Sequence, residues 1–325
     1  MRCVVTGGCG FVGSHLVEKL VKLNHKVTII DNLSTGSLKN IKNIKTKVNF
    51  IKADICEYKK IYNYFKKADW VFHLAAKADI VPSIENPKNY FETNVSGTFN
   101  VLRCSKKYSI KKLIYIASST CYGIPKKYPT DEKSKIQTKY PYALTKYLGE
   151  ELVMHWGEVY KVPVISLRCF NIYGARSRTS GTYGAVMGVF LAQRINDKPL
   201  TIVGDGKQKR DFTHVSDIVD VIIKSAKSKI RNEILNVGSG QTISINYLAK
   251  LIGGKKVFVP KRPGEPDITF AKIDKIKSKL GWKPKVKIEK GISKLLKEIN
   301  IWKSAPVWTK TKINKATKNW FKYLG

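Results

Sequence analysis

Residues 2 to 22 read as a strand, a glycine-rich turn and a helix. Arg2-Cys3-Val4-Val5-Thr6 is short, rich in β-branched residues and closed by glycine, the pattern of a buried strand. Gly7-Gly8-Cys9-Gly10-Phe11-Val12-Gly13 follows, then an apolar period through Leu16, Val17, Leu20 and Val21. Gly8, Gly10 and Gly13 fit G-x-G-x-x-G, while Gly7, Gly10 and Gly13 fit G-x-x-G-x-x-G. Either way, residues without side chains let backbone amides at a helix N-terminus approach a pyrophosphate. The motif alone is weak; the strand before it and the helix after it supply the context it needs.

The alternation continues. Residues 26–30 read as a second strand ended by Asp31, which lies 18 residues beyond Gly13. A carboxylate near that spacing binds the adenosine ribose hydroxyls, and its charge repels a 2′-phosphate, so NAD is expected over NADP. Asp31 also suits the start of a turn at Asn32; with the glycines in place, the ribose role is preferred. Further strands are expected at 48–51, 70–74, 112–117 and 168–171, with helices between them and a return strand at 234–237. Strand and helix in alternation imply an α/β fold, a Rossmann-like doubly wound parallel sheet whose ligand sits beyond the strand C-terminal ends. After residue 171 the regularity breaks. A polar, glycine-rich loop is expected over 175–188, a helix at 189–195, and short strands at 200–203, 211–214 and 257–259. Helices are expected at 274–280 and 288–301, and another after Thr309 as N-cap. The expected division is a nucleotide-binding domain over 1–172, with 213–245 returning to it. A smaller C-terminal substrate-binding α/β domain takes 173–212 and 246–325.

Four Tyr-x-x-x-Lys pairs occur: Tyr62/Lys66, Tyr108/Lys112, Tyr122/Lys126 and Tyr142/Lys146. With 51 lysines and 16 tyrosines, about two or three are expected by chance. On a helix this spacing stacks phenol and ammonium on one face, where the cation favours the phenolate. Gly123 and Pro125 exclude a helix for the third pair. The first lies inside the helix after the third strand, and the second at the far edge of the sheet. Only Tyr142/Lys146 opens a helix of its own, behind Pro141 and after the hydroxyl cluster Ser118-Ser119-Thr120.

Taken in order, these motifs resemble the extended short-chain dehydrogenase/reductases that act on nucleotide-sugars, UDP-glucose 4-epimerase-like proteins most closely. The resemblance spans about residues 2 to 300. It rests on Thr6-Gly7-Gly8-Cys9-Gly10-Phe11-Val12-Gly13, Asp31-Asn32-Leu33, Asp54-Ile55 and His73-Leu74-Ala75-Ala76. It continues through Asn94-Val95-x-Gly97-Thr98, Ser118-Ser119-Thr120-x-Tyr122-Gly123 and Tyr142-x-x-x-Lys146. Arg168-x-Phe170-Asn171-x-Tyr173-Gly174, Arg210-Asp211-Phe212 and Arg262-Pro263-Gly264-Glu265 complete it. The resemblance implies that Tyr142 is the catalytic base, that Lys146 holds the nicotinamide ribose and lowers the Tyr142 pKa, and that Ser118 bonds the sugar oxygen. Gly7, Gly10, Phe11, Val12, Gly13, Asp31, Asn32, Asp54, Ile55, Leu74, Ala75, Ala76, Asn94 and Phe170 would join Tyr142 and Lys146 around NAD. Ser118, Ser119, Thr120, Asn171, Arg210, Arg262 and Thr269 would hold the substrate, the two arginines on its diphosphate.

The same resemblance chooses among reactions. Family 4,6-dehydratases carry an Asp-Glu pair where this chain has Ser119 and Thr120, and decarboxylases usually a glutamate at Thr120. What remains is epimerisation, with a UDP-sugar 4-epimerase of the UDP-glucose/UDP-N-acetylglucosamine type as the expectation. Other nucleotide-sugar epimerases, dehydratases and decarboxylases stay open as substrates and outcomes, as does a non-catalytic NAD- or RNA-binding relative. Thr269 is small where the family limits room at the sugar C2 substituent, so an N-acetylated sugar is expected to fit. Ala78 stands where many epimerases have a cofactor-reaching lysine, with Lys77 one residue early.

Other features are bland. The net charge of +36 comes from lysine spread along the chain against only nine arginines. A nucleic-acid surface would cluster and include arginine, so no nucleic-acid partner is expected. Four of the arginines, Arg176, Arg178, Arg210 and Arg262, fall where a substrate pocket is expected and suit an anionic ligand. Six scattered cysteines without a Cys-x-x-Cys pair suggest reduced thiols, no metal and a cytoplasmic location. No apolar run of about 18 residues suggests a membrane span, and the start has no signal-peptide layout. His73, His155 and His214 are expected to be structural. The tail stripe Ile313, Ala316, Trp320 and Leu324 is expected to pack on the body or on a second subunit of a homodimer.

Overall fold

Strands covered by helices on both sides must be apolar on both faces, and the chain supplies such runs, most of them before residue 170. In the computed structural model, which describes residues 1–177 and 186–324, seven of them form one sheet. They are β1 (Arg2–Thr6), β2 (Lys26–Asp31), β3 (Asn49–Lys52), β4 (Trp70–His73), β5 (Lys112–Ser118), β6 (Val164–Cys169) and the strand Glu233–Val237. The order across the sheet is Glu233–Val237, β6, β5, β4, β1, β2, β3, and every pairing is parallel. The Phe11–Lys22 and Val215–Lys227 helices pack together on one face, over a core that includes Leu16, Val17, Ile29, Phe72, Ile165 and Ile222. The Gly97–Lys107 and Pro141–Val159 helices cover the other, around Val71, Val101, Leu113, Tyr115 and Val153. A separate apolar cluster of Met187, Phe190, Leu200, Ile202, Leu248, Ile292, Trp302 and Ile313 lies in the second half of the chain.

Boundaries differ from expectation where tertiary contacts decide them. The helix expected from 189 begins at Val186, so Gly188 is helical; residues 178–185, Arg178 among them, lie outside the described residues. Of the strand expected over 211–214 only Thr213–His214 is a strand, and a second short strand precedes it. Lys209–Arg210 joins Ile243–Ser244 and Ile268–Thr269, while Thr213–His214 joins Ile172–Tyr173. Asp211, between them, is fully buried. Its carboxylate accepts the amides of Ser239, Gly240 and Ala271, which pulls the chain out of a single strand. The helix expected to 301 ends at Lys297 and is followed by a 3₁₀ turn, Ile299–Trp302. The tail is capped by Thr309 but divides at Thr317 into Lys310–Ala316 and Lys318–Leu324.

His73 ends β4 inside the sheet edge. Its Nδ1 lies 2.7 Å from Thr6 Oγ1 and its Nε2 2.9 Å from Thr98 Oγ1. Thr98 gives its own hydroxyl proton to Asn94 O, so Nε2 carries the imidazole hydrogen and Nδ1 accepts from Thr6. A second proton would break the Thr6 bond in a buried place, and burial, helped by the Lys146 charge, holds the ring down to about 3. The unfolded imidazole binds a proton near pH 6.5. Between those values the unfolded state binds more protons, so stability falls as pH falls from about 6.5 toward 3, by about 1.4 kcal/mol per unit. Thermal unfolding of wild type and His73→Gln at pH 7 and pH 5 is expected to show a shallower acid loss in the variant. Equal losses would remove this role from His73.

Candidate active site

From β1 the chain winds outward through β2 and β3, then returns to place β4 on the other side of β1. The turns after β1 and β4 diverge there, opening a crevice beyond the strand C-terminal ends. A cleft of about 600 Å³ occupies it. Gly7, at φ +72°, leaves β1 so close to β4 that an added Cβ would sit 2.7 Å from Ala75 N. At Gly13 a Cβ would lie 2.1 Å from the Gly7 carbonyl oxygen, so the turn closes only without one. The Phe11–Lys22 helix begins from Gly10 with no side-chain cap and no acidic residue in its first turn. Its positive end is therefore left to an anion from outside the helix.

The acidic residues flanking this cradle are built in. Asp31 Oδ2 accepts Cys9 N at 2.9 Å and Oδ1 accepts Leu33 N at 2.8 Å, so it braces the glycine turn and opens the next one. Two acceptor positions used of about four leave the carboxylate capacity for a ligand hydroxyl. Burial raises its pKa against those two bonds. Beside it, Asn32 Nδ2 donates to Asp54 Oδ2 at 2.7 Å. Burial opposes ionisation of Asp54, but bonds from Cys56 and Asn32, with the Lys77 charge, bring its pKa below the ordinary value. Lys77 reaches the same side, with Nζ 3.3 Å from Ser34 Oγ.

The catalytic candidates come from β5 and the helix behind it. Ser118 ends β5 and caps a 3₁₀ turn, its Oγ 2.8 Å from Thr120 Oγ1. Pro141 starts the Pro141–Val159 helix, placing Tyr142 in its first turn and Lys146 one turn on. Gly149 lets that helix approach β5: a Cβ there would meet the Tyr115 hydroxyl at 2.5 Å. Lys146 Nζ lies 4.1 Å from the Tyr115 ring centroid, and Tyr115 OH donates to Lys146 O at 3.2 Å.

The electrostatics depart from expectation. Burial pushes the Tyr142 phenol up to about 12, opposed by a hydrogen bond with Ser118 and helped by the Asp79 charge. Burial also pushes Lys146 down to about 7, against the supporting charge of Glu150. Desolvation outweighs the attraction expected between phenolate and ammonium, so the phenol keeps its proton at neutral pH. Asp79, from the segment after β4, was not singled out in the sequence. It lines the cleft and its charge reaches Tyr142, so a carboxylate does stand near the base, though not at Ser119 or Thr120.

Glu150 was also invisible to motif reading. It is 1% exposed and accepts Arg168 through Nε at 2.9 and 3.1 Å and Nη2 at 2.5 Å. Ser166 donates to it as well. Arg168 continues to the Tyr122 hydroxyl, which donates to Asn236 Oδ1. This network ties β6 and Glu233–Val237 to the catalytic helix. The signal for it was spacing alone, Glu150 standing one turn beyond Lys146.

At the far end, Glu265 joins two arginines, with Oε1 3.0 Å from Arg210 Nη2 and Oε2 3.1 Å from Arg262 Nε. Thr269 Oγ1 donates to Asn171 Oδ1 at 2.8 Å. Tyr140 and Trp320 close the same wall. The tail stripe thus packs on the body, as Ile313 and Trp320 are buried, but Trp320 also faces the cleft. Of the residues assigned from sequence, Gly7, Gly10, Phe11, Val12, Gly13, Asp31, Asn32, Asp54, Ile55, Leu74, Ala75, Ala76 and Phe170 line the cofactor half. Ser118, Ser119, Thr120, Tyr142, Lys146, Asn171, Arg210, Arg262 and Thr269 line the rest. Asn94 stands apart. It is 1% exposed behind the wall, bonded to Lys77 N and O and to Thr145 Oγ1, so it fixes the loop after β4 to the catalytic helix. Among the described residues no cluster of His, Cys, Asp or Glu could hold a metal, and no helix is long and apolar enough to cross a membrane.

Known proteins share this architecture. A family model described as GDP-mannose 4,6 dehydratase matches residues 4–295. A putative UDP-glucose 4-epimerase of Methanocaldococcus jannaschii is 37% identical over 303 residues, covering 90% of this chain and 96% of that protein. A UDP-N-acetyl-alpha-D-glucosaminuronate decarboxylase of Bacillus cytotoxicus is 35% identical over 314 residues, covering 91% and 96%. The structure of UDP-glucose 4-epimerase from Thermotoga maritima, solved with UDP-glucose, superposes with a TM-score of 0.88 at 32% identity. It covers 93% of this chain and 99% of that one. By fold, by site layout and by this likeness along most of its length, the chain belongs to the NAD-dependent epimerase/dehydratase family.

Proposed function

We propose that the chain is an NAD-dependent epimerase acting at C4 of a UDP-sugar. The observation that carries this is that Ser118, Tyr142 and Lys146 line one cleft at the switch point, with Lys146 one turn beyond Tyr142 and hydroxyls, not carboxylates, at Ser119 and Thr120. The cofactor half fits NAD: the glycine cradle leaves no room for a Cβ at Gly7 or Gly13, and Asp31 keeps acceptor capacity where a ribose would lie. Gly7, Gly10 and the first turn of the Phe11–Lys22 helix would take its pyrophosphate, Asp31 and Asn32 a ribose, and Lys146 the ribose nearest Tyr142. When bound, NAD in its oxidised form supplies an acceptor for the C4 hydride and a positive charge beside the phenol.

The chain's own residues do the proton work. Tyr142 takes the C4 hydroxyl proton while Ser118 holds that oxygen, and C4 becomes a ketone. Arg210 and Arg262 keep the diphosphate anchored as the sugar turns over, since each guanidinium edge donates paired hydrogen bonds. Tyr142 then returns its proton to that oxygen as the same hydride is restored to the opposite face of C4, giving the other epimer. Purified protein is expected to carry NAD and to convert UDP-glucose or UDP-N-acetylglucosamine to the galacto epimer, read by NMR. Absence of both conversions in NAD-loaded protein would exclude the activity. The decarboxylase relative makes loss of carbon dioxide from a UDP-uronate the competing outcome, tested by a parallel incubation with UDP-glucuronate and read as a pentose product.

Thr269 supports an N-acetylated sugar, being small and half-buried at the cleft wall. Thr269→Tyr is expected to raise KM for UDP-N-acetylglucosamine at least about tenfold, the scale of a one- to three-kcal/mol steric discrimination, with a smaller effect on UDP-glucose. Equal losses on both substrates would reject the size argument. A homodimer through the Gly97–Lys107 and Pro141–Val159 helices accounts for the exposed Phe99, Leu144 and Val159 on that packed pair. Light scattering at monomer mass would contradict it. A cytoplasmic location accords with the six unpaired cysteines; secretion with oxidised thiols would contradict that.

A further inference from the structure

We propose that Trp320 is a positioning residue of the substrate site, an indole brought by the C-terminal helix to hold Arg262 where a nucleotide-sugar diphosphate would meet it. This rests on the function proposed above and adds a residue that the family pattern does not assign, since the family match ends at residue 295. Trp320 lies in the Lys318–Leu324 helix and is 2% exposed. The Arg262 guanidinium carbon sits over its ring, 5.2 Å from the centroid, and its Nε1 donates to Pro263 O at 2.7 Å. The Tyr140 ring is 6.1 Å away, two residues before the catalytic tyrosine. The same helix packs on the Ile80–Glu85 helix, whose Ile80 and Val81 line the cleft. One side chain thus ties together two cleft-lining segments that are distant in sequence, and its helix packs against a third.

The chemistry favours a role in binding. A ring beneath a guanidinium orients it through the face and does not consume the N–H donors on its edge. Glu265 already draws Arg210 and Arg262 together by one carboxylate. Trp320 adds an uncharged hold on the second arginine, together with a hydrogen bond that fixes the loop carrying it. A merely structural tryptophan would affect the whole fold, whereas this placement predicts an effect confined to the diphosphate end.

The test compares wild type with Trp320→Leu and Trp320→Phe, measuring UDP affinity by calorimetry, steady-state kinetics with UDP-N-acetylglucosamine, and bound NAD. Trp320→Leu is expected to raise the UDP Kd and the sugar KM about tenfold, the scale of a desolvated cation–π contact, while kcat stays within about twofold and NAD content is unchanged. Trp320→Phe, which keeps a ring but loses the Pro263 bond, should recover most of that loss. Unchanged UDP affinity in the leucine variant, loss confined to kcat, or joint loss of UDP and NAD would overturn the proposal. Wild type that binds NAD but neither UDP nor the sugar nucleotide would instead sink the proposed function itself.

Discussion

Tyr142→Phe is expected to lower kcat by about a thousandfold or more, with NAD content and UDP-sugar affinity close to wild type. A positioned general base contributes about 10²- to 10⁴-fold, and Tyr142 lines the cleft together with Ser118, the hydroxyl proposed to hold the reacting oxygen. Phenylalanine keeps the ring, including its edge contact with Tyr90, where the centroids are 6.4 Å apart. The loss should therefore be chemical. Because burial holds the phenol up at about 12 in the substrate-free cleft, activity should depend on charge arriving with the ligands rather than on a phenolate already present. Spectroscopic titration of the substrate-free protein should accordingly find no tyrosinate at Tyr142 near pH 8. A variant retaining more than a tenth of wild-type turnover would remove Tyr142 from the proton step.

Glu150→Gln should destabilise the fold by about 3–5 kcal/mol, the cost of leaving one member of a buried ion pair uncompensated. The melting temperature should then fall by roughly 4–7 °C for a chain of this size. Arg168 would keep its charge, 3% exposed, with Tyr122 and a backbone carbonyl as its remaining partners. The change also reaches the active site. Glu150 is the main charge supporting protonated Lys146, so without it Lys146 should lose its proton at lower pH and the alkaline limb of the rate profile should move to lower pH. A melting point within about 2 °C of wild type would show that the pair is relaxed by water or by neighbours.

The parts of the molecule legible in sequence are those fixed by local rules. The Gly7–Gly13 turn could only close between a strand and a helix, and the alternation of apolar runs dictated the parallel sheet. Tyr142 and Lys146 were legible because Pro141 opens their helix just after the Ser118 cluster. What was not legible depends on burial and on partners far along the chain. Glu150 reads as an ordinary helix-surface acid until β6 places Arg168 against it. Asn94 reads as a cofactor ligand, yet it sits behind the wall and supports Lys77 and Thr145. Asp211 breaks a strand because Ser239, Gly240 and Ala271 offer it three amides. Trp320 belongs to a stripe whose spacing shows packing but not that one member faces a cleft. The Tyr142 pKa runs opposite to the direction its spacing from Lys146 implies, because spacing shows proximity and says nothing of desolvation.

The central claim is reversible oxidation at one carbon with return of the same hydrogen. Conversion of UDP-glucose and UDP-N-acetylglucosamine in D₂O, followed by proton NMR and mass spectrometry, tests it directly. The expected result is the galacto epimer with the C4 hydrogen retained and no deuterium at any sugar carbon. Deuterium at C5, or a product that has lost water, would contradict it, since either requires a carbon-bound proton to be exchanged by a base such as Asp79.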